Sequence, residues 1–172
     1  MPTNSFLEIL NHLQSTGFRD VAGTRLSGTI PVSERLINEM VAASIPRGGH
    51  VREAHVRPEP GNRFSVRIAP RAALLPSLTL KLEIERQPEL PGSPVLVLRM
   101  ATMGGLFGMA SAALPIAGML PPGVRLAGDR ILVDISAMAA LRGFGDLVAH
   151  VRRLNITTEA GRILVQLDAA VD

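Results

Sequence analysis

Apolar and polar residues alternate through the middle of the chain, and this alternation predicts antiparallel β-strands. Residues 63–69 read RFSVRIA and residues 78–85 read LTLKLEIE, so apolar side chains fall at every second position. A period of two places them on one face of a strand. Turn sequences at 60–62 (PGN) and 91–93 (PGS) separate these runs from their neighbours. We therefore predict a meander of four strands over 50–58, 63–69, 78–85 and 95–100, with one apolar and one solvated face.

Helical spacing is clearest after a first strand at 24–32. Ser33 is placed to cap a helix that extends to Ile45, with apolar residues at helical spacing on one face and Glu34, Arg35 and Glu39 on the other. Later segments predict hairpins over 124–133 and 153–167, with a short helix over 137–142 that Ser136 caps. The segment 146–151 fits either a helical turn or the start of a strand. The order of elements predicts an α+β fold with an antiparallel sheet.

Residues 5–16 predict a separate short amphipathic helix that Gly17 ends. We therefore divide the chain into an N-terminal helical appendage, residues 1–20, and one α+β domain, residues 21–172. The first residues lack a basic region and include Glu8 in their only apolar run. This start is not that of a signal peptide, so we expect a cytoplasmic protein.

The stretch 100–124 reads MATMGGLFGMASAALPIAGMLPPGV and contains no charged residue. It is nominally long enough to cross a bilayer. Its glycines and prolines, however, favour a short helix over 106–114 followed by a break at Pro115. Three interpretations stay open for this apolar surface: part of the core, the lining of a ligand groove or a membrane contact, and a subunit interface.

Composition narrows the classes of function. The chain has no cysteine, which excludes disulfides, a thiolate nucleophile and sulfur-ligated metal. Its net charge is only +3, Lys81 is its sole lysine, and its arginines are spread along the sequence. Tyrosine and tryptophan are absent and phenylalanine occurs only five times, so platforms for base stacking are lacking. We therefore predict no nucleic-acid partner, although a mild attraction to anionic headgroups is compatible with the charge.

No catalytic or metal-binding constellation emerges from the sequence. On a strand, Glu53 and His55 share a side while His50 faces the other, and two ligands do not make a structural zinc site. No Gly-x-Ser-x-Gly motif occurs. Glu83 and Glu85 alternate with Lys81 on a predicted solvated face. We predict no catalytic residue, no metal and no cofactor, and hence a protein that is not an enzyme, with an enzyme acting on lipid-like substrates as a lesser alternative.

The order of three segments resembles a known architecture. A strand enters an amphipathic helix over 30–45, long alternating strands follow over 51–100, and after the apolar stretch residues 123–136 read GVRLAGDRILVDIS. Over residues 24–168 the chain thereby resembles the small single-domain bacterial members of the tubular lipid-binding (TULIP) superfamily, without a diagnostic motif. The resemblance implies a strongly curved antiparallel sheet wrapped around a helix, with a groove that holds acyl chains. The helix predicted here is shorter than that of the family.

These observations lead to one functional prediction and one alternative. We predict non-enzymatic binding or carriage of a lipid or other apolar molecule in a groove between helix and sheet, with transient contact to a membrane surface. The alternative is an interaction module in which segment 100–124 is a subunit interface of a homo-oligomer. The predicted ligand-binding residues come from the helix, the sheet and the apolar stretch: Leu36, Met40, Val41, Leu80, Leu82, Ile84, Phe107, Met109, Leu114, Ile116 and Met119.

Overall fold

Two antiparallel sheets and a few short helices make up the described part of the chain. A computed structural model describes residues 12, 15–16, 19–72, 76–101, 120–141 and 143–171. The strands are β1 (Arg25–Ser33), β2 (Val51–Glu59), β3 (Arg63–Pro70), β4 (Leu78–Arg86), β5 (Val95–Met100), β6 (Val124–Ala127), β7 (Arg130–Asp134), β8 (Val151–Glu159) and β9 (Arg162–Ala170). The helices are a 3₁₀ turn (Arg19–Val21), α1 (Glu34–Ser44), α2 (Ile135–Leu141) and α3 (Gly145–Ala149). The predicted α+β class is confirmed.

The larger sheet has six strands in the order β2-β3-β4-β5-β7-β6, every neighbouring pair antiparallel. It is strongly curled and forms a half-barrel. The register shifts between Val51 and Glu53 on β2 and between Ile84 and Arg86 on β4. Irregularities of this kind bend a strand and increase its twist, so they contribute to the curl. The predicted meander forms its first four strands.

The smaller sheet has three strands in the order β1-β9-β8. The Glu34 amide donates to the Gly161 carbonyl, and the Val171 amide donates to the carbonyl of Thr24. Both bonds lie on even-numbered positions of this chain segment, one before β1 and one after it. Backbone hydrogen bonding alternates along an antiparallel pair, so the even-numbered residues of β1 bond to β9 and the odd-numbered residues turn their backbone N–H and C=O groups away from it. Pro31, which has no N–H, therefore occupies an outward position, as proline in an edge strand requires.

Helix α1 begins where the sequence predicts, because the Ser33 hydroxyl accepts a hydrogen bond from the Leu36 amide at 3.3 Å. It then lies along the edge strand β2. The Asn38 side chain donates to the Val56 carbonyl at 2.8 Å and accepts from the Val56 amide at 2.7 Å. Ile37 is its buried residue. The helix thus covers one open edge of the six-stranded sheet, which leaves that edge less available to other strands.

The structure corrects one prediction and decides another. Ser136 lies inside α2, and the Asp134 carboxylate accepts the hydrogen bond from the Ala137 amide at 2.9 Å. Asp134 ends β7 two residues before Ser136, and its side-chain oxygen is the one that reaches an amide of the first turn. The ambiguous segment 146–151 proves helical in α3 and enters β8 at Val151.

Two predicted elements cannot be compared with the structure. The helix predicted over 5–16 and the apolar stretch over 102–119 lie outside the described residues, apart from a few positions of the former. Among the described residues, no helix is both long enough and apolar enough to cross a membrane.

Candidate functional site

The inner face of the six-stranded sheet is a continuous apolar surface. Its centre is a buried row across three strands, in which Phe64 pairs with Leu82 and Leu82 with Met100. A second row runs from Leu98 through Ile131 to β6. Cross-strand apolar pairs of this kind stabilise a sheet and fix its register. The partly buried apolar residues around this centre on the same sheet are Val56, Val66, Ile68, Leu78, Ile84, Leu98, Val124, Leu126 and Val133.

The three-stranded sheet also has an apolar face, and that face meets the first at one end. The register places alternate residues of its strands on one side: Leu26, Ile30, Val32, Leu154, Ile156, Ile163, Val165 and Leu167. Ile163 packs against the buried centre of the six-stranded sheet. The two apolar faces are therefore turned toward each other at Ile163.

Polar side chains fasten the two sheets together at this junction. Thr158 is only 5% exposed, and its hydroxyl accepts from the Arg63 amide and donates to the Glu59 carbonyl. The side-chain oxygen of Gln87 accepts a hydrogen bond from the Ile156 amide at 2.9 Å, and its side-chain nitrogen donates to the Ile156 carbonyl at 2.7 Å. The two bonds of Gln87 satisfy backbone groups on the outer edge of β8, which β9 does not reach, and the two bonds of Thr158 satisfy backbone groups at the turn between β2 and β3. The junction is thus defined by directed bonds as well as by apolar packing.

Away from the junction, the apolar face of β1 becomes progressively more exposed. Val32, paired with Ile163, is partly buried, whereas Ile30 is 50% exposed and Leu26 is 62% exposed. The paired positions on β9 move away from Ile163 in step, from Val165 to Ala169. We use the term apolar cleft for the apolar inner face of the six-stranded sheet together with the apolar face of the three-stranded sheet, from their contact at Ile163 to the exposed Leu26.

The structure brings the predicted ligand-binding residues of β4 together in one wall of the apolar cleft. Leu80 is 7% exposed, Leu82 is 4% exposed, and Ile84 packs against the same buried centre. They are buried by neighbouring side chains of the sheet, so their first role is to form the core. Their role toward a ligand stays a prediction.

The predicted residues of α1 are placed differently. Leu36 is 45% exposed, Met40 is 40% exposed and Val41 is partly buried, while the helix packs chiefly against β2. The structure therefore does not bring Leu36 and Met40 into the buried centre with the residues of β4. The five remaining predicted residues lie outside the described part of the chain: Phe107, Met109, Leu114, Ile116 and Met119.

Sequence reasoning missed the contribution of the three-stranded sheet. Leu26 and Ile30 alternate with polar residues, as do Leu154 and Ile156 on β8, so the signal for an apolar face was present. Periodicity does not say which strands pair, and β1 pairs with β9 at the opposite end of the chain. The local pattern of the sequence therefore could not predict that the two sheets face each other.

The outer face of the six-stranded sheet carries charged side chains on β2, β3, β4, β5 and β7, and part of this charge is neutralised by ion pairs. Lys81 lies 2.7 Å from Glu59, Arg99 lies 3.0 Å from Glu83, and Arg130 lies 3.0 Å from Glu85. The hydrogen bond from Lys81, followed by one from Ser65, lowers the pKa of the Glu59 carboxyl. These carboxylates belong to exposed ion pairs across neighbouring strands.

Neither a metal-binding cluster nor a known relative indicates a function for this site. Among the described residues, no group of three or more histidines, aspartates or glutamates is arranged to hold a metal ion. Comparison of the chain with family models, with curated proteins and with solved structures gives no match in any of the three. The resemblance to tubular lipid-binding proteins consequently stays a prediction.

Proposed function

We propose that the protein binds a lipid or similar long apolar molecule non-covalently in the apolar cleft. One observation supports the proposal above all: two apolar sheet faces meet at Ile163, and farther along β1 the apolar side chains of Ile30 and Leu26 keep half or more of their surface exposed. Covering apolar surface stabilises by about 25 cal/mol per Å², whether the cover is a side chain or a ligand. A ligand that covers Leu26 and Ile30 gains this stabilisation.

The energy balance favours a long chain over a small apolar molecule. Each buried methylene contributes about 0.8 kcal/mol. Association costs on the order of 4–15 kcal/mol in lost translational and rotational freedom. A ligand held by apolar contacts alone therefore needs on the order of ten or more buried methylenes. Acyl chains meet this requirement, and the resemblance to tubular lipid-binding proteins suggests the same class of ligand.

Native mass spectrometry of the freshly purified full chain, followed by organic extraction, tests the proposal directly. We expect a co-purifying lipid in near-stoichiometric amount. An unliganded mass read as a dimer or higher oligomer would instead support the alternative, an assembly module that satisfies its apolar stretch with a second copy. An unliganded monomer would contradict both functions.

A pair of substitutions on β1 locates the ligand. Ile30→Glu puts a carboxylate on the apolar face of β1, whereas Thr29→Glu puts the same carboxylate on the opposite face one residue away. Burying an unpaired charge beneath an acyl chain is strongly unfavourable. We expect the ratio of lipid-bound to unbound protein to fall by about tenfold or more in Ile30→Glu, equivalent to roughly 1.4 kcal/mol.

Thr29→Glu serves as the matched control and should keep the lipid content of the unchanged protein. Circular dichroism verifies that both variants remain folded, which we expect because both positions are exposed. Equal lipid content in the two variants would show that the ligand does not occupy the apolar cleft.

A further inference from the structure

Positive charge is concentrated in one part of the chain. Residues 47–71 hold six arginines and two glutamates, a net charge of +4, whereas the whole chain has a net charge of +3. The rest of the chain therefore has a net charge of −1. This segment comprises β2, β3 and the turns that flank them. Residues 47–71 thus account for more than the entire excess of positive charge.

The outer face of the six-stranded sheet is divided accordingly. On β4, β5 and β7, Lys81, Arg99 and Arg130 lie in ion pairs with carboxylates. On β2 and β3, Arg57 and Arg67 lie on the same outer face, since Arg57 pairs with Ser65 and Arg67 with His55. Both are exposed, as is Arg52, and none of the three has a carboxylate within ion-pair distance among the described residues. Their charge is therefore available to a partner.

Arg52 and Arg67 also line a shallow cleft on this face with a volume of about 220 Å³. The other lining residues are Glu53, His55, Ala69 and Ser77. His55 Nε2 lies 3.2 Å from Glu34 Oε1, so a contact to α1 orients its ring. Two guanidinium groups, an imidazole and a hydroxyl outnumber the single carboxylate of Glu53. The planar fork of arginine matches the oxygen atoms of a phosphate.

We infer that this arginine-rich outer face of β2 and β3 docks the protein on an anionic membrane, with a lipid phosphate group in the cleft of Arg52 and Arg67. The inference deepens the proposed function and rests on it, since a lipid carrier must meet the membrane that supplies its ligand. Each basic residue close to an anionic leaflet contributes roughly 1 kcal/mol to membrane binding, which corresponds to about a fivefold gain in affinity.

Two observations favour a membrane over nucleic acid as the partner. The chain has neither tyrosine nor tryptophan, and Phe64 is 6% exposed on the inner face, so among the described residues this outer face presents no phenylalanine, tyrosine or tryptophan for base stacking. In addition, α1, which packs against β2, exposes Leu36 and Met40 by 45% and 40%. Apolar side chains beside basic ones suit a headgroup interface, which accepts both.

Vesicle co-sedimentation tests the inference. The full chain is mixed with vesicles of phosphatidylcholine alone or with phosphatidylcholine and phosphatidylglycerol. We expect binding only to the anionic vesicles, and we expect it to weaken as salt screens the charges. The double variant Arg52→Gln/Arg67→Gln should bind these vesicles about 25-fold more weakly, the product of two fivefold losses.

The matched control is Arg86→Gln/Arg125→Gln, which removes the same charge from exposed arginines outside the β2–β3 hairpin. We expect it to bind the anionic vesicles within about threefold of the unchanged protein, since only the net charge differs. Equal losses in the two double variants, or no binding to the anionic vesicles, would overturn the inference. So would tighter binding to duplex DNA than to the anionic vesicles at the same salt.

The outcomes for docking and for lipid carriage are separable. Lipid content by native mass spectrometry is independent of vesicle binding. If the protein co-purifies with lipid but does not bind anionic vesicles, only the inference about the docking face is refuted. A protein that binds the vesicles through Arg52 and Arg67 but never contains lipid supports the docking face and refutes the proposed function.

Discussion

The hydroxyl of Thr158 is the most informative single group to remove, because it bridges the two sheets where the apolar cleft closes. It accepts from the Arg63 amide at 3.0 Å and donates to the carbonyl of Glu59, with the side chain almost fully buried. Thr158→Val preserves the shape of the side chain and removes only this bridge. The variant leaves one backbone donor and one backbone acceptor without their partner.

The expected cost follows from these two bonds. A neutral hydrogen bond contributes about 0.5–1.5 kcal/mol, and a buried group left without a partner costs about 1–3 kcal/mol. We therefore expect Thr158→Val to lower the free energy of unfolding by roughly 2–4 kcal/mol. With a urea dependence of about 1–3 kcal/mol per molar, the midpoint should fall by about 1–2 M.

Urea unfolding followed by circular dichroism measures this change, with Thr157→Val as the control. Thr157 is the neighbouring residue on the opposite face of β8, paired with Leu164. The same substitution there should change the free energy of unfolding by less than about 0.5 kcal/mol. If Thr158→Val costs no more than Thr157→Val, the junction does not depend on the hydroxyl bridge and the reasoning about sheet closure fails.

Two further predictions concern the acid response and a tight turn. A lowered carboxyl pKa contributes stability above the ordinary value of 4.5, and this contribution is lost as pH falls through the folded-state pKa. Urea midpoints should therefore fall more steeply below about pH 4.5 in the unchanged protein than in Glu59→Gln; identical slopes would refute the assigned role of Lys81. At Gly123, with φ +85°, an added Cβ would lie 2.9 Å from Met138 Cγ, whereas at Gly128, with φ +63°, it would meet nothing within 4 Å. Thermal or urea unfolding should show Gly123→Ala about 1–2 kcal/mol less stable than Gly128→Ala, and equal stabilities would mean that Met138 moves aside freely.

Local features of the sequence were sufficient to predict the strands and the main helix. The hairpin between β2 and β3 follows from the turn 60–62 and the alternation that flanks it, and Asn62 takes the positive φ of 61° that this turn requires. The cap at Ser33 follows from a single side chain at the start of an amphipathic run. Each of these features depends on residues within a few positions of one another.

The remaining features depend on contacts between distant segments. Nothing in the alternation of β1 selects β9 as its partner, so the division into two sheets was not predictable from periodicity. Helical spacing likewise identified the apolar side of α1 but not how much of it would be covered. Asn38 attaches the helix to the edge of β2, which leaves Leu36 and Met40 exposed. For the same reason, the sequence predicted apolar residues for the site without locating the cleft.

The outward position of Pro31 has a consequence for solubility. Among the described residues no strand pairs with the outer edge of the nine-residue β1, and Leu26 and Ile30 are exposed; chains can add strand to strand on such an edge and aggregate. The missing N–H at Pro31 interrupts the row of outward donors after Thr29. A strand from another molecule can therefore form backbone hydrogen bonds along only part of this edge. Fibre growth depends on continuous pairing, so it is disfavoured here. A single proline thus opposes the addition of further strands along this edge.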